Sequence, residues 1–360
     1  MVPYLRTSEE SKTKPTQHSV KELTGLGIQP DAIILRSEVP LDAHTRDKVS
    51  LFCNVPLSGV FEADDCQCLY ELPIKLHEQG IDDYVLEHFG IAAPEPDMSK
   101  LQGFIDRITN LKKTVRIALV GKYVELKDAY ISVSQALKAA GYALDADVKI
   151  EYIKSMNVTR ANAAEMLSGY DGLIVPGGFG TRGSEGKKES IRFARESGMP
   201  FLGICFGMQL AVIEYCEDVL GMKGANSTEF DPECDYPVID YLRGQHDGID
   251  MGGTLRLGGY ECHLREGSLA RKLYGKDDIV ERHRHRYEVN PSYVERINEG
   301  GLAVSGTNPG SGLVEIVELP GHPFFIACQF HPEFTSRPMK PNPLFKGLIE
   351  AALAHQEGRK

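Results

Sequence analysis

The chain is short of several things, and each shortage narrows what it can be. Acidic residues outnumber basic ones, 51 to 40, for a formal net charge of −11. A general nucleic-acid-binding surface carries the opposite imbalance, so no nucleic-acid partner is expected, although a nucleotide would need only a local basic pocket. No apolar run reaches the ~20 residues that cross a bilayer, so no membrane partner is expected. The opening Met1-Val2-Pro3-Tyr4-Leu5-Arg6 has no apolar leader core. The 8 cysteines are therefore expected as reduced thiols in the cytoplasm. Cys66-Gln67-Cys68 and Cys262-His263 lack the ligand spacing of a zinc site, so no metal is expected in this chain. A complete phosphate-binding P-loop is also missing. Gly186-Lys187 resembles its tail, but Thr181 stands where the first glycine belongs and Lys188 where Ser or Thr should follow. Internal repeats and low-complexity segments are absent.

What is present divides into two regions. A length of 360 residues fits one to three domains, and a hydrophobic fraction of 42% is ample for their cores. Residues 1–97 hold short strand-like runs at 32–35 and 51–55 among helical patterns, and end on Pro94-Glu95-Pro96-Asp97, which favours extended backbone. Residues 98–113 read as a linker, with a helix bearing Leu101, Phe104, Ile105 and Ile108 on one side. From 114 to 356 strands and helices alternate. Strands are expected at 115–120, 148–153, 172–176 and 201–204, and helices at 128–140 (stopped by Gly141), 161–167 and 190–196. Further strands follow at 254–257, 279–282 and 325–330, and a closing helix at 344–354. This alternation predicts an α/β fold with an open, mostly parallel sheet flanked by helices.

The most telling stretch is Gly203-Ile204-Cys205-Phe206-Gly207-Met208-Gln209. An apolar strand runs into a Gly-x-Cys-x-Gly turn and a helix follows, the context of a nucleophile elbow with Cys in place of Ser. Far downstream, Phe330-His331-Pro332-Glu333 places an imidazole and a carboxylate two residues apart. Together they offer a nucleophile, a base and a group to orient the base. Both segments follow apolar strands, so they can meet at the carboxyl ends of a parallel sheet. The loop Pro176-Gly177-Gly178-Phe179-Gly180-Thr181-Arg182-Gly183 contains Gly-x-Gly-x-x-Gly, a weak match to a dinucleotide fingerprint. It reads better as an oxyanion-hole loop, with the Gly178 and Phe206 amides as donors. Glu229 could bind an ammonium group. Arg282, Arg284 and Arg286 alternate along one strand face suited to a carboxylate. A solvated surface or a metal-binding His283–His285 pair are the other readings of that run. Lys12-Thr13-Lys14-Pro15-Thr16-Gln17 reads as a phosphate grip or a solvated basic loop.

Taken together, these residues resemble the class I (triad) glutamine amidotransferases. The stretches at 12–17, 182–186, 226–230 and 281–289 narrow the resemblance to the CTP synthases. The resemblance implies that Cys205 attacks the glutamine amide, that His331 shuttles protons and that Glu333 orients it. It implies that Gly178, Phe206, Gly207, Met208, Gln209, Glu229 and Arg286 hold glutamine. It further implies that Arg182, Gly183 and Glu185 belong to a lid responding to GTP as activator, and that Lys12, Thr13, Lys14, Pro15, Thr16, Gln17 and Lys48 form part of a UTP/CTP pocket shared across a homotetramer. No cofactor is implied for the amidotransferase domain; ATP and magnesium are implied for the full enzyme. Since the family's P-loop and magnesium carboxylates are not found, residues 1–97 are expected to be the C-terminal part of an amidoligase domain, and the chain to hydrolyse glutamine without making CTP unaided. Two alternatives stay open: a cysteine hydrolase of the same fold acting on another γ-glutamyl amide, and a non-catalytic regulatory remnant.

Overall fold

The computed structural model describes residues 1–241 and 256–359, and its contacts divide the chain into two compact units, Met1–Asn110 and Leu111–Lys360. The first unit has a parallel strand pair, Ile33–Arg36 beside Val60–Ala63, packed with Val2, Val49, Cys53 and Val55. The run at 51–55 is not a strand. Ala43–Cys53 is a helix because Asp42 caps its first turn by accepting from the Thr45 amide (2.6 Å), and Asn54 ends it in the left-handed region. Val49 and Cys53, four apart, are buried, whereas Leu51 and Phe52 stay 77% and 62% exposed. Residues 14–17 likewise open a helix, Lys14–Gly25, rather than a loop. Pro15 sits in its first turn, where a missing N–H costs nothing. A further helix, Ser99–Ile108, occupies the span read as linker and buries Phe104 and Ile105.

The second unit is built on a nine-stranded sheet of described residues. Its strands are β1 (Lys113–Gly121), β2 (Ala146–Lys154), β3 (Gly172–Val175), β4 (Phe201–Ile204), β5 (Arg256–Leu264), β6 (Asp278–His285), β7 (Ala303–Thr307), β8 (Val314–Glu318) and β9 (Phe325–Cys328), in the order β6-β5-β7-β8-β9-β4-β3-β1-β2. The run from β9 to β2 is parallel, and β5 to β8 extend it antiparallel. The first two residues of the strand read at 254–257 lie outside the described residues. Every residue of β3, β4 and β9 is buried, as expected where helices cover both faces of a parallel sheet. The helices α1 (Ile131–Ala143), α2 (Ser184–Ser197), α3 (Phe206–Asp218) and α4 (Pro343–Gly358) provide that cover.

Gly141 does not end α1, which runs on to Ala143. A Cβ at Gly141 would lie 2.4 Å from the Ala146 carbonyl oxygen and from Cγ2 of Val148. The glycine serves the close approach of α1 to β2, not a helix stop. α3 is buried nearly all round, from Phe206 through Cys216, so the helix that follows the Gly-x-Cys-x-Gly turn is a central core element.

Candidate active site

Three neighbouring strands, β3, β4 and β9, end side by side. Each is followed by one part of the site: Gly177–Gly178 after β3, Cys205 after β4 and His331 after β9. Position 205 is the tip of the elbow. Cys205 has φ 51° and ψ −102°, in the sparsely populated region typical of a nucleophile held out of a strand-to-helix turn. Its amide donates to the Cys328 carbonyl at 2.7 Å, carrying the β4–β9 ladder one step past the strand ends. The flanking glycines are sterically required. A Cβ on Gly203 would lie 2.9 Å from Cβ of Ala327, and one on Gly207 would lie 2.1 Å from the Val175 carbonyl oxygen.

His331 and Cys205 line the same cavity, and Nδ1 of His331 lies 2.8 Å from Oε1 of Glu333. With Nδ1 engaged by the carboxylate, Nε2 is left for the sulfur. Burial works against the imidazolium, but the charge of Cys205, the hydrogen bonds to sulfur and carboxylate, and the charge of Glu333 outweigh it, and the His331 pKa rises to about 10. His331 is thereby held toward its imidazolium form. The Phe206 amide is the first of α3 and has no intrahelical acceptor; it directly follows Cys205 in the chain, and Gly178 lines the cavity.

A cavity of about 560 Å³ opens over Cys205 and His331. Gly177, Gly178, Gln209, Glu229, Arg286 and Tyr287 are among its walls. Glu229 accepts from the Gly180 amide at 2.8 Å. Its pKa is raised by burial, against the lowering effect of that bond and of the Lys122 and Arg286 charges. Arg286 lies beyond the end of β6, so it does not continue the strand face of Arg282 and Arg284, which are exposed; Arg284 nevertheless joins Arg286 on the cavity wall. The Arg286 Nε is buried and has no hydrogen-bond partner among the described residues, a cationic donor facing a cavity that already holds a carboxylate. The site thus pairs an anionic and a cationic side chain near a nucleophilic sulfur, which suits a zwitterionic amino acid bearing a cleavable amide.

The His283–His285 pair is not part of any metal-holding group among the described residues, and the two rings hydrogen-bond each other at 2.9 Å. They lie in a buried network in which Arg256 donates to Glu288 (3.0 Å) and Glu315 (2.6 Å). The described cysteines are all free thiols. Arg182 and Glu185 lie outside the cavity lining. Gly183, at φ 79°, precedes α2, and a Cβ there would lie 2.4 Å from Oγ of Ser155. In the first unit, Lys12 pairs with Glu10, whose pKa is lowered by that hydrogen bond and by the charges of Lys12 and Lys48. Thr13 accepts from Gln17 at 3.0 Å.

Sequence reasoning missed Lys187. Its side chain on α2 is fully buried, with Nζ 3.3 Å from the Pro176 carbonyl oxygen and 4.9 Å from the Phe206 ring centroid. Burial pulls its pKa down to about 7, against the attraction of Cys205. Nothing in the charged residues Glu185, Lys187, Lys188 and Glu189 marks Lys187 as buried; only the spacing of α2, with Gly186, Glu189, Ser190, Ile191 and Ala194 also inside, could have done so. Tyr123, Tyr130 and Tyr287 also line the cavity unannounced.

The family model described as glutamine amidotransferase class-I matches residues 125–351, and that described as CTP synthase N-terminus matches residues 1–91. The chain is 53% identical over 353 residues to the CTP synthase of Bacillus subtilis (strain 168), covering 98% of this chain and 66% of that protein. It is 51% identical over 360 residues to the CTP synthase of Staphylococcus aureus (strain NCTC 8325 / PS 47), covering 100% of this chain and 67% of that protein. Among solved structures, the glutaminase domain of Trypanosoma brucei CTPS with bound acivicin matches with a TM-score of 0.63 and 39% identity, over 67% of this chain and 94% of that one. The chain spans about two thirds of the length of these curated relatives.

Proposed function

The chain belongs to the CTP synthase family, with a class I glutamine amidotransferase domain over residues 125–351, and on that premise we propose that it hydrolyses glutamine at Cys205 to release ammonia for the amination of UTP to CTP. The thiolate attacks the side-chain amide carbon. The Gly178 and Phe206 amides hold the resulting oxyanion. The His331 proton passes to the departing nitrogen, ammonia leaves, and a thioester remains. Water, losing its proton to His331, then attacks the thioester and releases glutamate and the sulfur. Glu333 orients the imidazole throughout. Glu229 takes the α-ammonium group and Arg286 the α-carboxylate, with Gln209 beside them on the wall; Gly207 and Met208, expected there too, are not among the lining residues, and Met208 is buried in the core.

The observation that carries this reading is one cavity lined by Cys205, His331, Glu229 and Arg286, with Glu333 on Nδ1 of the imidazole. Arg182, Gly183 and Glu185 are proposed as part of a lid through which GTP activates. Lys12, Thr13, Lys14, Pro15, Thr16, Gln17 and Lys48 are proposed for UTP and CTP, in a cytoplasmic homotetramer. ATP and magnesium, which the family's synthase reaction uses, find no P-loop in the sequence and no carboxylate cluster of metal-holding geometry among the described residues. A glutaminase assay of Cys205→Ala tests the central role. Activity should fall by at least about 1,000-fold, and turnover above that level would remove Cys205 as nucleophile.

A further inference from the structure

The mechanism above leaves a buried side chain against the reacting sulfur unused. Gln329 sits on the segment between β9 and His331 and is fully buried. Its amide nitrogen lies 3.7 Å from Sγ of Cys205. Its oxygen accepts from the side-chain nitrogen of Gln209 at 3.3 Å, and that same nitrogen donates to the Tyr287 carbonyl at 2.9 Å.

The direction of this chain is forced. A main-chain carbonyl can only accept, so Gln209 must turn its NH₂ group toward Tyr287. The second hydrogen of that group then meets Gln329, which must present its oxygen. The NH₂ of Gln329 is left facing the sulfur. The usual ambiguity of an amide's orientation is thereby removed by one fixed acceptor at the far end. The main-chain amide of Gln329 donates to the Glu315 carbonyl at 2.8 Å, which holds the residue in place.

We propose that Gln329 is a further catalytic residue of this site, donating a hydrogen bond to the Cys205 sulfur that favours its anionic form and fixes it for attack. A neutral thiol is a poor acceptor and a thiolate a good one, so the bond strengthens as the sulfur ionises. No proton moves from Gln329; the thiol proton is taken by His331, the general base of the proposed reaction. The same bond fades when the sulfur becomes a thioester and returns as the thioester breaks, so it assists both the start and the end of the cycle. The inference rests on Cys205 being the nucleophile.

The test is the rate of alkylation of Cys205 by iodoacetamide as a function of pH, on the full chain, for the parent, Gln329→Met and Gln329→Asn, with Cys205→Ala as the blank. Methionine fills similar volume without a donor, and asparagine is too short to reach. For both, the half-maximal pH should rise by roughly one unit, the scale of a hydrogen bond to a charged group. Alkylation should be roughly tenfold slower on the acid side and should converge with the parent at high pH. Folding of each variant is read by its thermal transition, so that one folded variant suffices. An unchanged profile in a folded variant overturns the proposal, as does failure of both variants to fold, which would make Gln329 purely structural. Alkylation does not depend on the substrate, so a chain that acts on something other than glutamine would fail the glutaminase assay and still report on Gln329.

Discussion

A methyl group on Gly177 would lie 2.9 Å from Cε1 of His331 and 3.7 Å from Cβ of Cys205. The loop after β3 therefore sets how near the imidazole comes to the sulfur, and only a glycine leaves the ring where it stands. Gly177→Ala should push the ring aside without unfolding the sheet. Glutamine turnover should fall by on the order of 100-fold, since an ångström of misplacement costs about that much. Steady-state kinetics beside an unchanged thermal transition would show it; parent-level kcat would mean that the ring has room to spare.

The raised pKa of His331 carries a prediction of sign. The imidazolium must keep its proton until ammonia leaves, so activity should decline at high pH as that proton is lost. With a pKa of about 10, the alkaline limb of the parent lies far above the ordinary range of histidine. Glu333→Gln removes the carboxylate that shares in raising it. The alkaline limb should move to lower pH and kcat should fall by roughly 100- to 10,000-fold, both read from a pH–rate profile.

Lys187 should make the protein less stable at neutral pH than it need be. Its folded pKa, about 7, lies below the unfolded value of 10.5. The folded state therefore binds fewer protons than the unfolded state between those values, and stability rises with pH across that window. Lys187→Met should raise the unfolding free energy by on the order of a few kcal/mol at pH 7. The advantage should be fully present below pH 7 and gone near pH 10.5. Denaturant titrations at three pH values would check this, and an advantage independent of pH would contradict it.

Arg286 and Glu229 are assigned to the unreacting end of the substrate. Losing such contacts weakens ground state and transition state alike. Arg286→Gln should raise the KM for glutamine by roughly 10- to 100-fold, the worth of one charged hydrogen bond, with kcat little changed. A fall in kcat at constant KM would place Arg286 at the reacting centre instead.

Much of the amidotransferase site could be read from the chain because its chemistry is local. The elbow needs glycines at 203 and 207 whatever surrounds it, and His331 and Glu333 are held two residues apart by the backbone itself. The strands of the parallel sheet were legible because continuous apolar runs such as Leu173-Ile174-Val175 have no other use. Errors came where tertiary context decided. Leu51 and Phe52 look strand-forming by composition, yet they are the outward face of a helix set by its caps at Asp42 and Asn54. Gly141 looked like a stop because its steric role against Val148 is invisible in one dimension. Arg286 appeared to continue the face of Arg282 and Arg284 because the end of β6 at His285 leaves no mark in the sequence. Lys187 and Gln329 went unnoticed for a related reason: a polar residue turned inward looks like one turned outward until its neighbours across the fold are known.

The three parts of the site hang from consecutive strands of one hydrogen-bonded ladder, Val175 on Gly203 and Ile204 on Cys328. The coarse spacing of these parts is inherited from the sheet, and the loops that bear them make only the fine adjustment. Warming the protein should thus leave the relative placement of sulfur, imidazole and glycine amides intact until the central strands themselves part. Heat inactivation and the cooperative loss of structure in the second unit should be one event, with no temperature at which the fold survives and the chemistry does not.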